Sequence, residues 1–378
     1  MKEQTALERL CQIKSPYELN EENKKLFIGA IKENYRFQYE NQPYVRFLAE
    51  RNDFDISKVK TINDLAKIPA IFVGTMKRTT FCNLKENEVA MVLTSSGTKG
   101  EKTQSFFGKD DLERLSSLGR NCFEASGWTS TIPSHVFLFA HDIKEEKNRG
   151  TSWSNDQLSS LAPQKSTHWM IVKNAQGDFD FDYKFWAKKV VELAQDAPIR
   201  LVGFPAFMAQ LANEISQIAP NFKAKEGSFI TAGGGWKNHS GTPMTFSQFA
   251  DFIGKTLGIP AHSIRDIFGM AEHGIPYCSC KAGHYHVPLY SRIFIRDPLT
   301  LEVLPDGEEG IMNLISPYNM AQSNLSILAT DLGIIQDNCS CGIKGKFISS
   351  IRRGGISKNR GCAIAAQEIL DRAQGVRK

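Results

Sequence analysis

Residues 94–100 have the sequence Thr-Ser-Ser-Gly-Thr-Lys-Gly, and this hydroxyl- and glycine-rich stretch directly follows an apolar run at residues 89–93. A short strand that ends in such a loop predicts a phosphate cradle, because backbone N–H groups can surround an anion there. Asp110 and Asp111 then begin a helical pattern, and acidic residues favour the first turn of a helix. The stretch therefore predicts a strand, an anion-binding loop and a helix, in that order.

Three further apolar runs predict buried strands later in the chain. They lie at residues 135–140, 199–205 and 228–232, and the third leads into three consecutive glycines at 233–235. Residues 1–85 show helical spacing of apolar side chains instead. Strands that alternate with helices indicate an α/β fold class, with mixed sheets and packed helices.

The composition excludes several classes of protein. The chain has 378 residues, 41% of them hydrophobic and 23% charged, which argues against disordered and collagen-like chains. No apolar stretch approaches the roughly 18 residues of a membrane span. Residues 1–4 carry no apolar signal core, so we expect a cytoplasmic protein. A net charge of +5 is too small to argue for binding to nucleic acid or to a membrane surface.

The basic charge is concentrated at the C-terminal end. Residues 342–378 contain nine basic and two acidic side chains, whereas acids slightly outnumber bases before them. This distribution is typical of a solvated basic terminus, but it also suits an anion site or a surface that docks onto an acidic partner. The sequence leaves these interpretations open.

Four segments resemble motifs of the adenylate-forming superfamily, the acyl- and aryl-CoA ligases and their relatives, and they occur in the expected order. Residues 94–100 resemble its phosphate loop, residues 231–236 its glycine segment beside adenine, residues 268–272 its aromatic-Gly-Met-X-Glu motif, and residues 330–333 its ribose-binding Asp segment. The resemblance implies an adenylate-forming large domain that uses ATP and Mg²⁺ to activate a carboxylate.

The resemblance also implies roles for individual residues. Glu272 would serve Mg²⁺, which neutralises charge developing on the phosphates, while loop N–H groups stabilise the departing pyrophosphate. The superfamily loop often ends in a lysine, and Lys102 would correspond to it, one position earlier than in many members. The expected nucleotide-binding residues are Thr94, Ser95, Ser96, Gly97, Thr98, Gly100, Lys102, Gly233, Gly234, Gly235, Phe268, Gly269, Asp331, Arg352 and Lys358.

The C-terminal segment differs from that of most superfamily members and so restricts which family the chain resembles. Arg352, Lys358 and Gly361 match the superfamily hinge, but glycines replace its paired acids. The sequence ends seventeen residues after Gly361, where relatives usually continue into a mobile domain. We therefore expect an adenylate-forming domain at residues 1–341, with a mainly helical entry at 1–85, and a truncated basic segment at 342–378.

Cys362 directly follows this hinge, and the combination resembles the acyl-protein synthetase (LuxE) family of the bacterial bioluminescence fatty acid reductase complex. The resemblance implies that a long-chain fatty acid is activated as acyl-AMP, transferred to Cys362 as a thioester, and delivered to an acyl-protein reductase. An acyl-transferase subunit would be a further partner. Two alternatives remain open: a CoA ligase of the phenylacetate type, and a non-catalytic zinc-containing subunit that supports a partner enzyme.

Two Cys-X-Cys pairs and two histidines form a candidate metal site. Thiolate and imidazole ligands together suit tetrahedral Zn²⁺. Phenylacetate-CoA ligase-like proteins have a similar arrangement, and by that likeness the expected structural ligands are Cys280, His286, Cys339 and Cys341. Cys278 or His284 would be substitutes. Reduced thiols near an active-site loop are the alternative interpretation.

Other residues of interest have less specific patterns. The isolated Cys11, Cys82 and Cys122 are interpreted as buried core thiols. Residues 203–208 and Trp236 would either line an acyl pocket or belong to the core. His273, next to Glu272, would contact the acyl group or cap a turn.

Overall fold

The structure is a computed structural model that describes residues 4–94, 103–140, 150–173, 179–234 and 244–354. The α-helices in these ranges are α1 Ala6–Gln12, α2 Glu21–Asn41, α3 Pro43–Arg51, α4 Val73–Met76, α5 Lys109–Ala125, α6 Gly150–Ser159, α7 Tyr183–Leu193, α8 Pro205–Ile218 and α9 Phe246–Leu257. The strands are β1 Ile71–Phe72, β2 Met91–Thr94, β3 Gln104–Phe107, β4 Ser134–Leu138, β5 Gln164–Trp169, β6 Val172–Lys173, β7 Phe179–Asp180, β8 Ile199–Gly203, β9 Phe229–Gly233, β10 Ile264–Phe268, β11 Tyr277–Cys278, β12 Tyr285–His286, β13 Arg292–Arg296, β14 Glu309–Ile315, β15 Ser326–Gln336 and β16 Phe347–Arg353.

The chain divides into two compact units. The first comprises Met1–Ala125, Gly269–Tyr277 and His284–Lys378, and the second comprises Ser126–Phe268 and Cys278–Gly283. Each unit has its own sheet and apolar core.

The second unit is built on a parallel sheet. Strands β10, β9, β8, β4 and β5 lie side by side in that order and all run in the same direction. Every residue of β4 is buried, because helices cover both faces of a parallel sheet and leave no polar face. Leu201 and Ile230 on neighbouring strands pack with α8 and α9 in the core.

The first unit contains a mainly antiparallel sheet in the order β12, β16, β15, β14, β13, with β1 parallel to β15. Strand β15 is eleven residues long, and its register with β16 pairs Asp331 with Arg353 and Gln336 with Phe347. A separate two-stranded hairpin of β2 and β3 belongs to the same unit. Ile327 and Leu328 of β15 are buried in a core with Phe72 and Phe81.

Local sequence signals set several helix ends. The Asn20 side chain accepts a hydrogen bond from the N–H of Asn23 at 2.8 Å and caps α2. Thr245 and Gln248 form a reciprocal capping box at the start of α9, and Gly258 ends that helix with φ of 68°. Pro43 begins α3, where its missing N–H costs no hydrogen bond.

The α/β fold class and the positions of the expected strands are confirmed. The runs at 89–93, 135–140, 199–205 and 228–232 overlap β2, β4, β8 and β9 to within one residue at the overhanging ends, and α5 begins beside the two expected acids. None of the described helices has the length and apolarity that a membrane crossing requires. The boundary predicted after residue 341 stays a prediction.

Candidate active site and metal cluster

The hairpin of β2 and β3 places the two ends of the expected phosphate loop side by side. Thr94, the last residue of β2, pairs with Gln104, the first residue of β3. The remaining residues predicted for this loop, namely Ser95, Ser96, Gly97, Thr98, Gly100 and Lys102, lie outside the described residues. Their contact with nucleotide stays a prediction.

The glycine segment lies at the carboxyl end of β9. A Cβ atom on Gly233 would lie 2.8 Å from Cγ2 of Ile267 on β10, so a side chain there would collide with the neighbouring strand. Gly234 has φ of 75°, which favours glycine. Ligands of open α/β sheets bind beyond the carboxyl ends of the strands, which suits the expected role of this segment. Gly235 and Trp236 lie outside the described residues.

The aromatic-Gly-Met-X-Glu motif begins at the end of β10 with Phe268. A Cβ atom added to Gly269 would have no atom within 4 Å, so this glycine adjoins open space. Glu272 is only 4% exposed, and its backbone carbonyl accepts a hydrogen bond from Nδ2 of Asn324 at 2.8 Å. The motif therefore places its acid in a largely buried position.

Asp331 lies in the middle of β15, in the same unit as Glu272. Burial raises the pKa of the Asp331 carboxyl, Arg353 lowers it and Glu272 raises it. The two carboxylates are thus close enough to repel each other, and their ionised forms would favour a cation. Such oxygen ligands suit Mg²⁺.

Arg353 rather than Arg352 lies beside Asp331. The strand register pairs Arg353 directly with Asp331, so the two side chains share a face of the sheet. Arg352 forms an ion pair with the Glu309 carboxylate, with Nε 2.7 Å from Oε1, and this pair lowers the pKa of Glu309. The predicted nucleotide contact of Arg352 stays a prediction, and Lys358 lies outside the described residues.

His273 is an interior residue. It is almost fully buried, and its Nε2 lies 2.8 Å from the Tyr277 hydroxyl and 3.2 Å from Oγ of Ser291. Burial lowers the pKa of its imidazole to about 3, so the ring is neutral. Its placement favours a core role over contact with an acyl group.

The metal-ligand atoms of Cys280, His286, Cys339 and Cys341 all lie within 4.8 Å of one another. Zn–S and Zn–N bonds of about 2.0–2.3 Å would place tetrahedral ligands roughly 3.3–3.8 Å apart, so the cluster suits one such ion. Nε2 of His286 lies 3.2 Å from Sγ of Cys341. The structure therefore brings together the four residues that the sequence predicts.

The surroundings of the cluster orient its thiols. Sγ of Cys341 accepts a hydrogen bond from the N–H of Ile343 at 3.3 Å. Nδ1 of His284 lies 3.2 Å from Sγ of Cys339, and its ring stacks on Phe347. His284 thus contacts a ligand from outside the set of four, which is how residues that orient metal ligands usually act.

The isolated cysteines have poorly reactive environments. Burial raises the pKa of the Cys11 thiol to about 12, and it also raises those of Cys82 and Cys122. Thiols of this kind remain protonated near neutral pH. Cys362, the expected acyl acceptor, lies outside the described residues.

The chain is similar to two curated ligases. It is 23% identical to a long-chain-fatty-acid–luciferin-component ligase of Vibrio harveyi, over 93% of this chain and 89% of the relative. It is 22% identical to the protein of the same name from Aliivibrio fischeri, over 93% of this chain and 90% of that relative.

Solved structures and a family model complete the comparison. A 2-hydroxyisobutyryl-CoA ligase in an open conformation, bound to 2-HIB-AMP and CoA, matches with a TM-score of 0.63 and 15% identity, over 89% of this chain and 75% of that one. The same ligase in its thioesterification state matches with a TM-score of 0.64 and 15% identity, over 91% of this chain and 70% of that one. The fold is therefore that of adenylate-forming ligases. The family model described as acyl-protein synthetase, LuxE, matches residues 3–371, and the chain belongs to that family.

Proposed function

We propose that this protein activates a long-chain fatty acid with ATP and carries the acyl group on Cys362. The carboxylate pair of Glu272 and Asp331, with Arg353 beside it, is the observation that carries the proposal within a chain of this family. The substrate class follows the names of the two curated relatives.

The first step joins the fatty acid to AMP. A carboxylate oxygen of the fatty acid attacks the α-phosphorus of ATP, the bond to the β-phosphate breaks, and pyrophosphate leaves. Glu272 would hold Mg²⁺, which supplies positive charge as pyrophosphate departs. Asp331 would accept hydrogen bonds from the ribose hydroxyls, with Arg353 limiting the electrostatic cost of its charge.

The second step transfers the acyl group to sulfur. The Cys362 thiolate attacks the acyl carbonyl, the bond to the phosphate oxygen breaks, and AMP leaves. The basic residues at 342–378 would favour the thiolate over the neutral thiol. The raised pKa values of Cys11, Cys82 and Cys122 make them poor competitors.

A cluster of aromatic side chains in the second unit would take the alkyl chain. Phe181 contacts Phe139 and Phe207, with ring centroids 5.7 and 5.4 Å away, and Phe207 contacts Phe204 at 6.3 Å. Phe139 follows the carboxyl end of β4, whereas Phe204 and Phe207 follow that of β8. Strand β8 is the direct neighbour of β9, which ends in the glycine segment. An apolar surface one strand away from a nucleotide segment suits a fatty acyl adenylate.

The four-residue cluster would bind one structural Zn²⁺. The set offers three thiolates and one imidazole, which complete a tetrahedral shell and leave no position for substrate. The ion would therefore stabilise the loop between β15 and β16 rather than take part in acyl transfer.

The proposed acyl-protein would deliver its thioester to an acyl-protein reductase, with an acyl-transferase as a second partner, for aldehyde production in bioluminescence. A thioester keeps enough reactivity for reduction and survives the encounter between two proteins. Transfer to CoA is the main alternative, since the structurally similar ligase is bound to CoA.

Isotope exchange between pyrophosphate and ATP tests the activation step. We expect exchange that requires both a long-chain fatty acid and Mg²⁺. A subsequent incubation with CoA distinguishes the two acceptors, because this protein should form little acyl-CoA. Absence of fatty-acid-dependent exchange would refute the proposed activity.

A further inference from the structure

Within the described residues, the outer edge of β3 is covered by side chains and not by another strand. The backbone groups of Phe107 face β2, since its carbonyl accepts a hydrogen bond from the N–H of Ala90 at 2.9 Å. Residues alternate along a strand, so Gln104 and Phe106 direct their backbone groups to the opposite edge. An edge of this kind leaves N–H and C=O groups that need partners.

Two buried amides supply those partners. Oε1 of Gln322 accepts from the N–H of Phe106 at 2.9 Å, and Nε2 of Gln322 donates to the carbonyl of Gln104 at 3.2 Å. Nδ2 of Asn319 donates to the carbonyl of Phe106 at 3.2 Å. Gln322 is 1% and Asn319 2% exposed. A side-chain amide carries the same donor and acceptor as a peptide group, so Gln322 acts as a one-residue substitute for a strand.

The segment that carries these amides, residues 317–324, is itself held from several directions. The N–H of Met320 donates to Oδ1 of Asp111 on α5 at 2.8 Å. Nδ2 of Asn34 on α2 donates to the carbonyls of Pro317 and Asn319 at 2.7 and 2.8 Å. These anchors fix the position from which Gln322 reaches β3.

The same segment reaches two other elements of the proposed nucleotide site. Asn324 donates to the backbone carbonyl of Glu272 at 2.8 Å, and two residues later the chain enters β15, which carries Asp331. A buried amide without a partner destabilises the fold, so these bonds act as a set that tolerates little displacement.

We propose that Gln322 is a positioning residue, which fixes the base of the phosphate loop by closing the outer edge of β3. The proposal rests on the proposed function, since it assigns the hairpin of β2 and β3 to ATP. Gln322 itself would not touch the nucleotide. A displacement of about 1 Å in a reacting group can cost up to roughly 100-fold in rate, which makes such support important.

The test compares Gln322→Met with a matched control, Asn121→Leu. Methionine fills the same volume without the amide, so the Phe106 N–H loses its acceptor. Asn121 is also a buried amide, and it donates to the Ile13 carbonyl and the Tyr290 hydroxyl, neither of which belongs to β3. Both variants lose comparable hydrogen bonds and should lose comparable thermal stability.

In Gln322→Met we expect the KM for ATP to rise about tenfold or more, the KM for fatty acid to stay within about twofold, and the Phe106 amide to exchange hydrogen faster. Asn121→Leu should change none of these three quantities. Gln322→Asn, which keeps the amide but withdraws it by one methylene, should change them in the same direction and serves if the methionine variant does not fold.

An unchanged KM for ATP in the Gln322 variants, or an equal rise in Asn121→Leu, would overturn the proposal. Hydrogen exchange is measured without ATP, so it also tests the contact if the wild-type protein fails to exchange pyrophosphate. In that case the proposed function fails, and unaltered protection of Phe106 in Gln322→Met would reject the positioning role as well.

Discussion

The hairpin of β15 and β16 carries cysteine thiols at its loop and a buried carboxylate near its open end. At its loop, Cys339 and Cys341 meet Cys280 and His286, and their ligand atoms converge on a space that suits one metal ion. Towards its open end, Asp331 faces Arg353, and burial together with the nearby Glu272 raises the pKa of its carboxyl. The loop end is a compact cluster of three cysteines and one histidine, whereas the open end holds a carboxylate whose charge the fold disfavours.

We therefore expect the loop end of the hairpin to determine thermal stability and the open end to determine activity. Residues that complete a structural metal site stabilise the fold when the ion is bound. A buried carboxylate with a raised pKa destabilises the fold in its ionised form and is retained where a ligand uses that charge. Substitutions at the two ends should therefore shift thermal stability in opposite directions.

The largest effect is expected at the loop end. Cys339→Ser should reduce zinc from about one ion per chain to nearly none and cost roughly 3 kcal/mol or more, because it removes one of the four proposed ligands. Elemental analysis and thermal denaturation measure both quantities. Cys82→Ser, a half-buried cysteine outside the cluster, is the control and should retain the wild-type stability within about 1 kcal/mol. Zinc-free wild-type protein of full stability would contradict the structural role.

The next largest effect is expected at Glu272, the buried acid that raises the pKa of Asp331. Glu272→Gln should slow pyrophosphate exchange by about 100-fold, because the neutral amide cannot hold the cation that offsets phosphate charge. The melting temperature should stay near the wild-type value, since Asn324 bonds to the Glu272 backbone carbonyl, which the substitution keeps. Glu308→Gln, an exposed acid on the same unit, provides the comparison. Exchange at the wild-type rate in Glu272→Gln would remove this residue from the site.

Asp331→Asn should combine weaker ATP use with greater stability. The KM for ATP should rise about tenfold, the effect of losing roughly 1.4 kcal/mol of binding. Because the pKa of Asp331 is higher in the folded than in the unfolded protein, its ionised carboxylate destabilises the fold. This destabilisation is absent at pH values below the unfolded pKa and complete above the folded pKa. The stability advantage of the asparagine variant should therefore grow as pH rises through this range. Thermal denaturation at a series of pH values measures it, and a constant difference would contradict the account.

The smallest effect distinguishes two adjacent arginines. Arg353→Gln should raise the KM for ATP several-fold, since Asp331 loses its compensating charge. Arg352→Gln should have the weaker effect, because its described ion pair with Glu309 is exposed and such pairs contribute little. The KM for ATP of each variant decides between them, and a larger effect at Arg352 would favour the assignment based on family resemblance.

Local patterns were sufficient to predict much of this molecule. Apolar runs predicted β2, β4, β8 and β9, because each run is long enough for one buried strand. The proximity of Cys280, His286, Cys339 and Cys341 was also predicted, by their likeness to a Cys and His arrangement in phenylacetate-CoA ligase-like proteins.

Residues that depend on register or on distant contacts were not predictable. A shift of one position in β16 decides whether Arg352 or Arg353 shares a face with Asp331, and no local pattern reports that register. Gln322 contacts Gln104 and Phe106 across more than two hundred residues, and glutamine alone gives no signal of a strand-like role. The phosphate loop and Cys362 remain predictions from sequence.

The central claim is that the chain forms a fatty acyl adenylate and carries the acyl group on Cys362. Incubation of the purified protein with Mg²⁺, ATP and a radiolabelled long-chain fatty acid, followed by gel electrophoresis, tests it most directly. We predict ATP-dependent label on the wild-type protein that hydroxylamine releases, and no such label on Cys362→Ser, although that variant should retain pyrophosphate exchange. Hydroxylamine-labile label at the wild-type level on Cys362→Ser would contradict the claim.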